Sequence, residues 1–467
     1  MHRVGKAIAI VAKAAWIAFV IATPILGAWV ASSMAAYSNR PLWTSAVAAL
    51  LAFPVLPLAW EAIGEWRWRR AGRKKRFLTR VDRVTLRTLA VNVVFMGGML
   101  AAAPERAFAA LSTRGDWMLD GRDGPKIATV RRALFRAAGE LEWMYVASRD
   151  NPFRDPSPTT ATTSTSTATS TSTSTAIANA PWPIAATLHP LVVAMKPEAE
   201  TSVDAVAKAI ADGEPDPFLR IKAVHDWVAD RIAYDAEAYA ARKYPPQDAA
   251  TVFASRKAVC AGYAALFDAM SRAAGIEAAF VGGDARTARM SEKGEGHAWN
   301  AVKLGDRWWL LDATWDSGSV SGTEFKKGYR TDYFFTPPDV FSVDHLPDDP
   351  KWQLRDAPLT RGDFLRQPMT SPAFFADSLE LVAPTRSQVT VGRALDVEIK
   401  NPKKKRVYVA LAPKGDRTLR DCTTSGDDVV RARCDFGAPG SYEVLLFSGD
   451  PSATTSRYVG QIEANSG

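Results

Sequence analysis

Apolar runs, amphipathic stretches and short alternating segments succeed one another along the chain, and their order divides it. Ala14 to Ser32 is apolar apart from Thr23 and Ser32, with Pro24 at its middle. Trp43 to Trp60 is a second apolar run with Trp at both ends, and Thr88 to Ala103 is a shorter third that contains Asn92. Runs of this length predict membrane-spanning helices, and terminal Trp residues suit the interface. A cleaved signal peptide competes for the first run. The second run close behind it, and the lack of a small-residue cleavage site, argue against that. From Asp120 to Arg149, Ile127, Val130, Leu134 and Leu141 follow a rough helical period. Thr159 to Thr175 is almost wholly Ser, Thr and Ala, which cannot bury a core and predicts a disordered spacer.

Beyond Trp182 the pattern is globular. Val203 to Ala211 and Phe218 to Ala233 have helical periodicity. An amphipathic pattern after Cys260 runs through Tyr263, Leu266, Phe267 and Met270 and stops at Gly275, placed as a C′ glycine. Ala278 to Val281, His297 to Leu304 and Trp308 to Ala313 read as strands. Towards the C-terminus, Val389 to Val391, Leu395 to Ile399, Val407 to Leu411 and Tyr442 to Phe447 are separated by Gly, Pro and Asp turns, the spacing of a small β-sandwich. The expected organisation is a membrane module over 1–104, a helical juxtamembrane region over 105–157, a linker over 158–176, an α+β domain over 177–375 and an all-β sandwich over 376–467.

Charge sharpens this picture. The net charge of the 467 residues is +8, but Glu61 to Arg87 holds ten Lys or Arg against three acids, a local +7 that leaves the remainder near +1. The basic character therefore belongs to one short segment, and the basic domain face expected of a nucleic-acid binder is lacking. Arg67, Arg69, Arg70, Arg73, Lys74, Lys75 and Arg76 follow the second apolar run directly. Positive loops stay cytoplasmic, so the first run exits, the second returns and the third exits again. This predicts a multi-pass membrane protein whose later residues are extracytoplasmic. If the third run does not span, they lie in the cytoplasm.

The three cysteines separate by position: Cys422 and Cys434 are near neighbours, either bridged or free, and Cys260 stands apart. A bridge would imply an oxidising compartment. Cys260 opens a helical pattern, where the positive end of the helix dipole favours thiolate. His297 begins a strand-like run and Asp312 ends the next, with Gly305-Asp306 between them as a turn. A two-residue loop there pairs Leu304 with Arg307 and sets Trp299 opposite Asp312, with His297 as the diagonal neighbour. A register shifted by two sets His297 directly opposite Asp312. In either case the carboxylate and imidazole share a face, as an orienting acid requires. Of the other histidines, His225 lies in a helical pattern and reads as structural, and His345 lies in a Pro- and Asp-rich loop. His2 and His189 have no supporting acid. No Cys/His spacing suggests zinc, and no Gly-rich phosphate loop is present.

The ordered blocks VCAGYA at Cys260, GHAWNAV at His297 and WWLLDATWD at Asp312 resemble the core of the transglutaminase-like superfamily. Asp226-Trp227-Val228 with Tyr234-Asp235 resembles that domain's leading helix. Asp332 to Pro337, His345-Leu346-Pro347 and Trp352-Gln353-Leu354 resemble its kyphoscoliosis-peptidase branch, whose members often carry a β-sandwich afterwards. The resemblance covers Phe218 to Leu365 and implies a papain-like fold. It makes Cys260 the nucleophile, His297 the general base and acid, and Asp312 the orienter. Cross-linking transglutaminases add an oxyanion donor upstream of the cysteine and, in animal enzymes, calcium sites. Neither has a match here, so the resemblance does not imply cross-linking, and no cofactor and no metal are expected. The expected activity is that of a peptidase or amidase acting through an acyl-thioester on a protein or peptide, with cell-envelope material a candidate from location. The alternatives are a cross-linking transamidase and a non-catalytic, membrane-tethered interaction protein.

Overall fold

Continuously apolar sequence becomes long helix, and the breaks follow the punctuating residues. The computed structural model describes residues 2–72, 77–122, 124–148, 151–153, 182–287 and 294–467. The expected spacer 158–176 and the Arg73 to Arg76 part of the basic loop lie outside the described residues. Among those described, Ile10–Tyr37, Leu42–Arg70 and Arg80–Ala102 are long and apolar enough to cross a membrane. The first belongs to α1 (His2–Tyr37). The second is α2 (Leu42–Leu50), a π-helical turn holding Pro54, and α3 (Leu56–Arg70); proline removes a helical donor at the break. The third, α4 (Arg80–Ala102), begins before the expected Thr88, because Thr79 and Asp82 form a capping box in front of the apolar run. Glu61 of α3 is buried against Arg83, 2.7 Å away, and Arg87, which ties α3 to α4.

The expected single helical stretch from Asp120 to Arg149 is divided. Gly124, at φ +119°, and Pro125 start α6 (Pro125–Gly139) after the earlier α5 (Pro104–Arg114), and α7 (Glu142–Ser148) follows. Buried Asp116 accepts from Arg131 at 2.7 Å and from Arg386 of the C-terminal region at 2.8 Å, so these helices dock on the β-rich part.

The middle of the chain packs α8 (Val203–Gly213), α9 (Pro217–Arg231) and α10 (Cys260–Ala273) around one face of a five-stranded antiparallel sheet. Its strands are β1 (Ala278–Ala285), β2 (Glu295–Leu304), β3 (Arg307–Leu311), β4 (Phe334–Thr336) and β5 (His345–Pro347), in the order β4-β3-β2-β1-β5. Trp227 stacks on Phe253 at 5.4 Å within this core. Burying a large apolar side chain of this kind contributes on the order of 2–3 kcal/mol. The β2–β3 hairpin turns at Gly305, at φ +63°, with Leu304 opposite Arg307 and Asn300 opposite Leu311, the first of the two registers considered above. The strand expected to reach Ala313 stops at Leu311. Asp312 instead caps α11 (Ala313–Ser317), its side chain accepting from the amides of Thr314 and Trp315.

The C-terminal region is sheet-rich. A six-stranded sheet contains β6 (Met369–Thr370), β8 (Gln388–Val391), β10 (Arg406–Pro413), β11 (Arg420–Asp421), β14 (Gly440–Gly449) and β15 (Arg457–Ser466). A four-stranded sheet contains β7 (Glu380–Ala383), β9 (Ala394–Lys400), β12 (Thr423–Ser425) and β13 (Val429–Asp435). Period-two alternation turns Leu395, Val397 and Ile399 of β9 and Val430, Ala432 and Cys434 of β13 into a core shared with Val409, Val444 and Ile462 of the larger sheet. Cys422 sits where the chain leaves β11 for β12 and forms a disulfide with Cys434, which resolves the choice that the cysteine count leaves open.

Candidate active site

The site forms where α10 begins, packed against the central strand β2. A two-residue parallel bridge pairs Tyr234 with Ala258 and delivers the chain directly into Cys260, the first residue of α10. The first-turn amides of a helix have no intrahelical acceptor and carry the positive end of its dipole, and the Cys260 sulfur lies there. Gln247, which sequence reasoning passed over, steadies this entry by accepting from the Val259 amide at 3.0 Å. A Cβ on Gly262 would lie 2.5 Å from Gln247 Oε1 and 2.7 Å from Ala258 Cβ, so only glycine permits the approach. Asn300 of β2 donates to the Ala264 carbonyl at 3.0 Å and fixes α10 against the strand that carries His297.

His297 and Asp312 meet as the hairpin register requires, with Nε2 of the imidazole 2.8 Å from Oδ2 of the carboxylate. Cys260 opens α10 beside the strand that carries His297 and packs in one cluster with the neighbouring Ala298. The structure therefore brings Cys260, His297 and Asp312 together. Asp312 cannot rotate freely. Its Oδ1 accepts from the Thr314 amide at 2.8 Å and the Trp315 amide at 3.3 Å. Burial disfavours charge on His297, but the Asp312 carboxylate and the Cys260 sulfur outweigh it and raise the imidazole to about 9. Burial likewise disfavours the Asp312 carboxylate, and His297 and His345 reverse this, holding it well below the usual carboxylate range.

His345 is the main correction. The expected loop is instead strand β5, in which His345 is fully buried and places Nε2 3.3 Å from Asp312 Oδ2. A Cβ on Gly283 of β1 would meet the Leu346 carbonyl at 2.3 Å and the Trp299 ring at 2.6 Å, so glycine there lets β5 come close. His189 also needs correction. Its acid comes from 25 residues away, with Nε2 3.0 Å from Glu214 Oε2, while Nδ1 caps the following turn by accepting from the Leu191 amide. His225 has the structural position expected of it, fully buried in α9.

Ligating atoms of His297, Asp312 and His345 lie within 4.8 Å of one another, close enough for a cation. Those atoms are already hydrogen-bond partners, and a metal would have to displace the protons that join them. The residues therefore fit a hydrogen-bonded network better than a metal centre.

Cys260 is 1% exposed and shares an apolar cluster with Val259, Ala298 and Phe153, flanked by Tyr234, Tyr239 and Tyr244. Phe153 reaches it from the segment preceding the expected spacer. Asn151 anchors that segment by donating to the Gly283 carbonyl at 3.2 Å, and Phe153 packs edge-on to Tyr244 at 5.0 Å. A substrate carbonyl reaches the sulfur only if these side chains move. Nothing in the local sequence around Phe153 signalled this placement.

Residues 204–313, which include Cys260, His297 and Asp312, match the transglutaminase-like superfamily. The kyphoscoliosis peptidase of Mus musculus is 34% identical over 177 residues, which is 36% of this chain and 27% of that protein. The kyphoscoliosis peptidase of Homo sapiens is 30% identical over 205 residues, 42% of this chain and 31% of that protein. The chain thus spans between 27% and 31% of the length of these curated relatives. A crystal structure of a TGase overlaps with a TM-score of 0.21 at 22% identity, over 29% of this chain and 37% of that one.

Proposed function

The chain carries a transglutaminase-like domain at residues 204–313, and from that premise we propose that it is a membrane-anchored thiol enzyme acting on amide bonds. The observation that carries the reading is the thiol at a helix N-terminus beside an imidazole held 2.8 Å from a buried carboxylate. In this reading Cys260 and His297 form a thiolate–imidazolium pair. The sulfur attacks a carboxamide or peptide carbonyl carbon, forming the C–S bond. Negative charge gathers on the carbonyl oxygen, where the Cys260 amide at the helix start can donate to it. The C–N bond then breaks as the imidazolium proton passes to the leaving nitrogen, and an acyl-thioester remains. Asp312 holds the imidazole in its tautomer and stabilises its charge without taking the proton.

Water, deprotonated by His297, resolves the thioester in a peptidase or amidase, and a second amine resolves it in a transamidase. Hydrolysis is the favoured outcome, and the names of the two relatives point the same way. The apolar enclosure of Cys260 is the observation that keeps the amine route in view, since it limits water. The core around the site is proposed to be papain-like. In this reading the three apolar helices anchor the chain, and the basic loop after the second supports an enzyme outside the cytoplasm. The Cys422–Cys434 disulfide suits an oxidising compartment. Envelope proteins or peptides are the proposed substrates.

The test uses the full chain in detergent and its Cys260→Ala variant, with denatured casein and a fluorescent amine. Peptide release lost in the variant supports the hydrolase, and Cys260-dependent amine incorporation supports the transamidase. Neither signal from folded protein moves the reading to a tethered interaction protein.

A further inference from the structure

His345 has no part in the transglutaminase-like triad, yet its position is more constrained than that of His297. Nδ1 lies 2.7 Å from Asp344 Oδ1, and Nε2 lies 3.3 Å from Asp312 Oδ2. Both ring nitrogens therefore face a carboxylate oxygen. A neutral imidazole has a proton on one nitrogen only, so its lone pair would point at a carboxylate lone pair. The imidazolium has a donor for each. The rings around it favour the same form: Phe341 lies 4.2 Å and Trp315 4.4 Å from it, centroid to centroid, and aromatic faces attract a cation.

The far carboxylate is held as firmly. Asp344 Oδ2 accepts from the Tyr333 hydroxyl at 2.5 Å, and its carbonyl accepts from the Arg286 amide at 2.9 Å. The Arg286 guanidinium is spent on the carbonyls of Val343, Leu365 and Gln367. The titratable groups facing His345 are thus two carboxylates, the Tyr333 phenol and the His297 imidazole, whose ring lies 5.4 Å away. Asp312 Oδ2 is shared between the two imidazoles while Oδ1 is pinned by the start of α11.

We propose that His345 is a positioning residue, an imidazolium fixed between Asp344 and Asp312 that completes the orientation of Asp312 and offsets part of its negative charge. The proposal rests on the thiol-enzyme reading of Cys260, His297 and Asp312. His345 keeps both its protons throughout; the proton that moves is the one His297 gives to the leaving nitrogen. An unshared Asp312 carboxylate would hold that proton more strongly. His345 weakens the hold enough for His297 to act as an acid and still keep its tautomer. In support, the carboxylates of Asp344 and Asp312 overcome burial and raise His345 to about 9.

The experiment compares the full chain with its His345→Gln and Asp344→Asn variants, alkylating Cys260 with iodoacetate across pH. Iodoacetate is an anion attracted by the His297 imidazolium, so its rate falls on the basic side as that proton is lost. Neutralising His345 should move the basic limb upward by about one pH unit, the scale of a lost neighbouring charge. Asp344→Asn should move it in the same direction by less, and it keeps the test decisive if His345→Gln does not fold. A merely structural His345 would leave the limb where it is in both variants, and that result overturns the proposal. If wild-type Cys260 shows no such limb at all, the ion pair itself is absent and both readings fall.

Discussion

Two buried histidine networks flank the short helix α11, and they use the same device to different ends. On one side His225 lies between Asp226, 3.1 Å from Nδ1, and Asp316, 3.2 Å from Nε2, with Lys222 and Tyr329 completing the set. The approach to Asp316 is close enough for charge pairing but is not an aligned hydrogen bond. On the other side His345 lies between Asp344 and Asp312, and Asp312 reaches on to His297. Tyr333 touches both networks, with its amide on Asp316 and its hydroxyl on Asp344. An imidazole set between carboxylates is thus a way to bury paired charge in a core. What distinguishes the second network is the thiol proposed as nucleophile, Cys260, which opens a helix beside the strand that carries its outer imidazole.

That comparison can be broken by substitution. Cys260→Ala should remove amide-bond turnover, a loss of ~10³-fold or more, while the thermal midpoint is kept. Asp312→Asn should lower turnover on the order of 10²–10⁴-fold, because an amide does not select the tautomer or stabilise the imidazolium as a carboxylate does. His225→Gln should do the opposite. It leaves Asp226 and Asp316 with a lost buried partner, so stability measured by denaturant should fall by about 3 kcal/mol, with Cys260 alkylation per folded molecule unchanged. Replacing both Cys422 and Cys434 by Ser should cost about 2–3 kcal/mol in the C-terminal sheets and nothing at Cys260.

A pH series sharpens the same contrast. His297 and His345 are raised in the folded state to about 9, above the ordinary imidazole value of about 6.5. Their contribution to stability is therefore fully present below about pH 6.5 and is lost as pH rises through about 9. Asp312 is lowered, so its share is present above the ordinary carboxylate value and is lost as pH falls. Thermal melts should show the alkaline loss in wild type and a smaller one in His297→Gln. An equal loss in the variant would assign the effect to His225 or to other groups. The smallest effect concerns access: Phe153→Ala should speed alkylation of Cys260 a few-fold, read as a rate at fixed pH.

Much of the site was legible because its signals are local. Cys260 opens a helical pattern, Gly305-Asp306 turns a hairpin, and that turn alone sets His297 and Asp312 on one face. The Asp312 cap was less visible, since strand and cap differ by two residues at the end of an apolar run. His345 lies 33 residues beyond Asp312, in a three-residue strand that reads as loop. Its partner is chosen by sheet order, which places β5 beside β1, and no periodicity over three residues encodes that. The block His345-Leu346-Pro347 was visible as part of a family pattern but carried no physical reason until Asp344 and Asp312 were seen on either side of the ring. Glu214 beside His189 and Phe153 beside Cys260 are likewise products of tertiary packing.

In the proposed mechanism the step common to hydrolysis and transamidation is an acyl-thioester on Cys260, which hydroxylamine would trap whichever acceptor normally follows. The full chain would be incubated with denatured casein and hydroxylamine, and casein-bound hydroxamate measured for wild type, Cys260→Ala and Asp312→Asn. The account predicts hydroxamate from wild type, none from Cys260→Ala and a strongly reduced yield from Asp312→Asn. Hydroxamate formed equally well without the Cys260 thiol, or none formed by folded wild type, would contradict it.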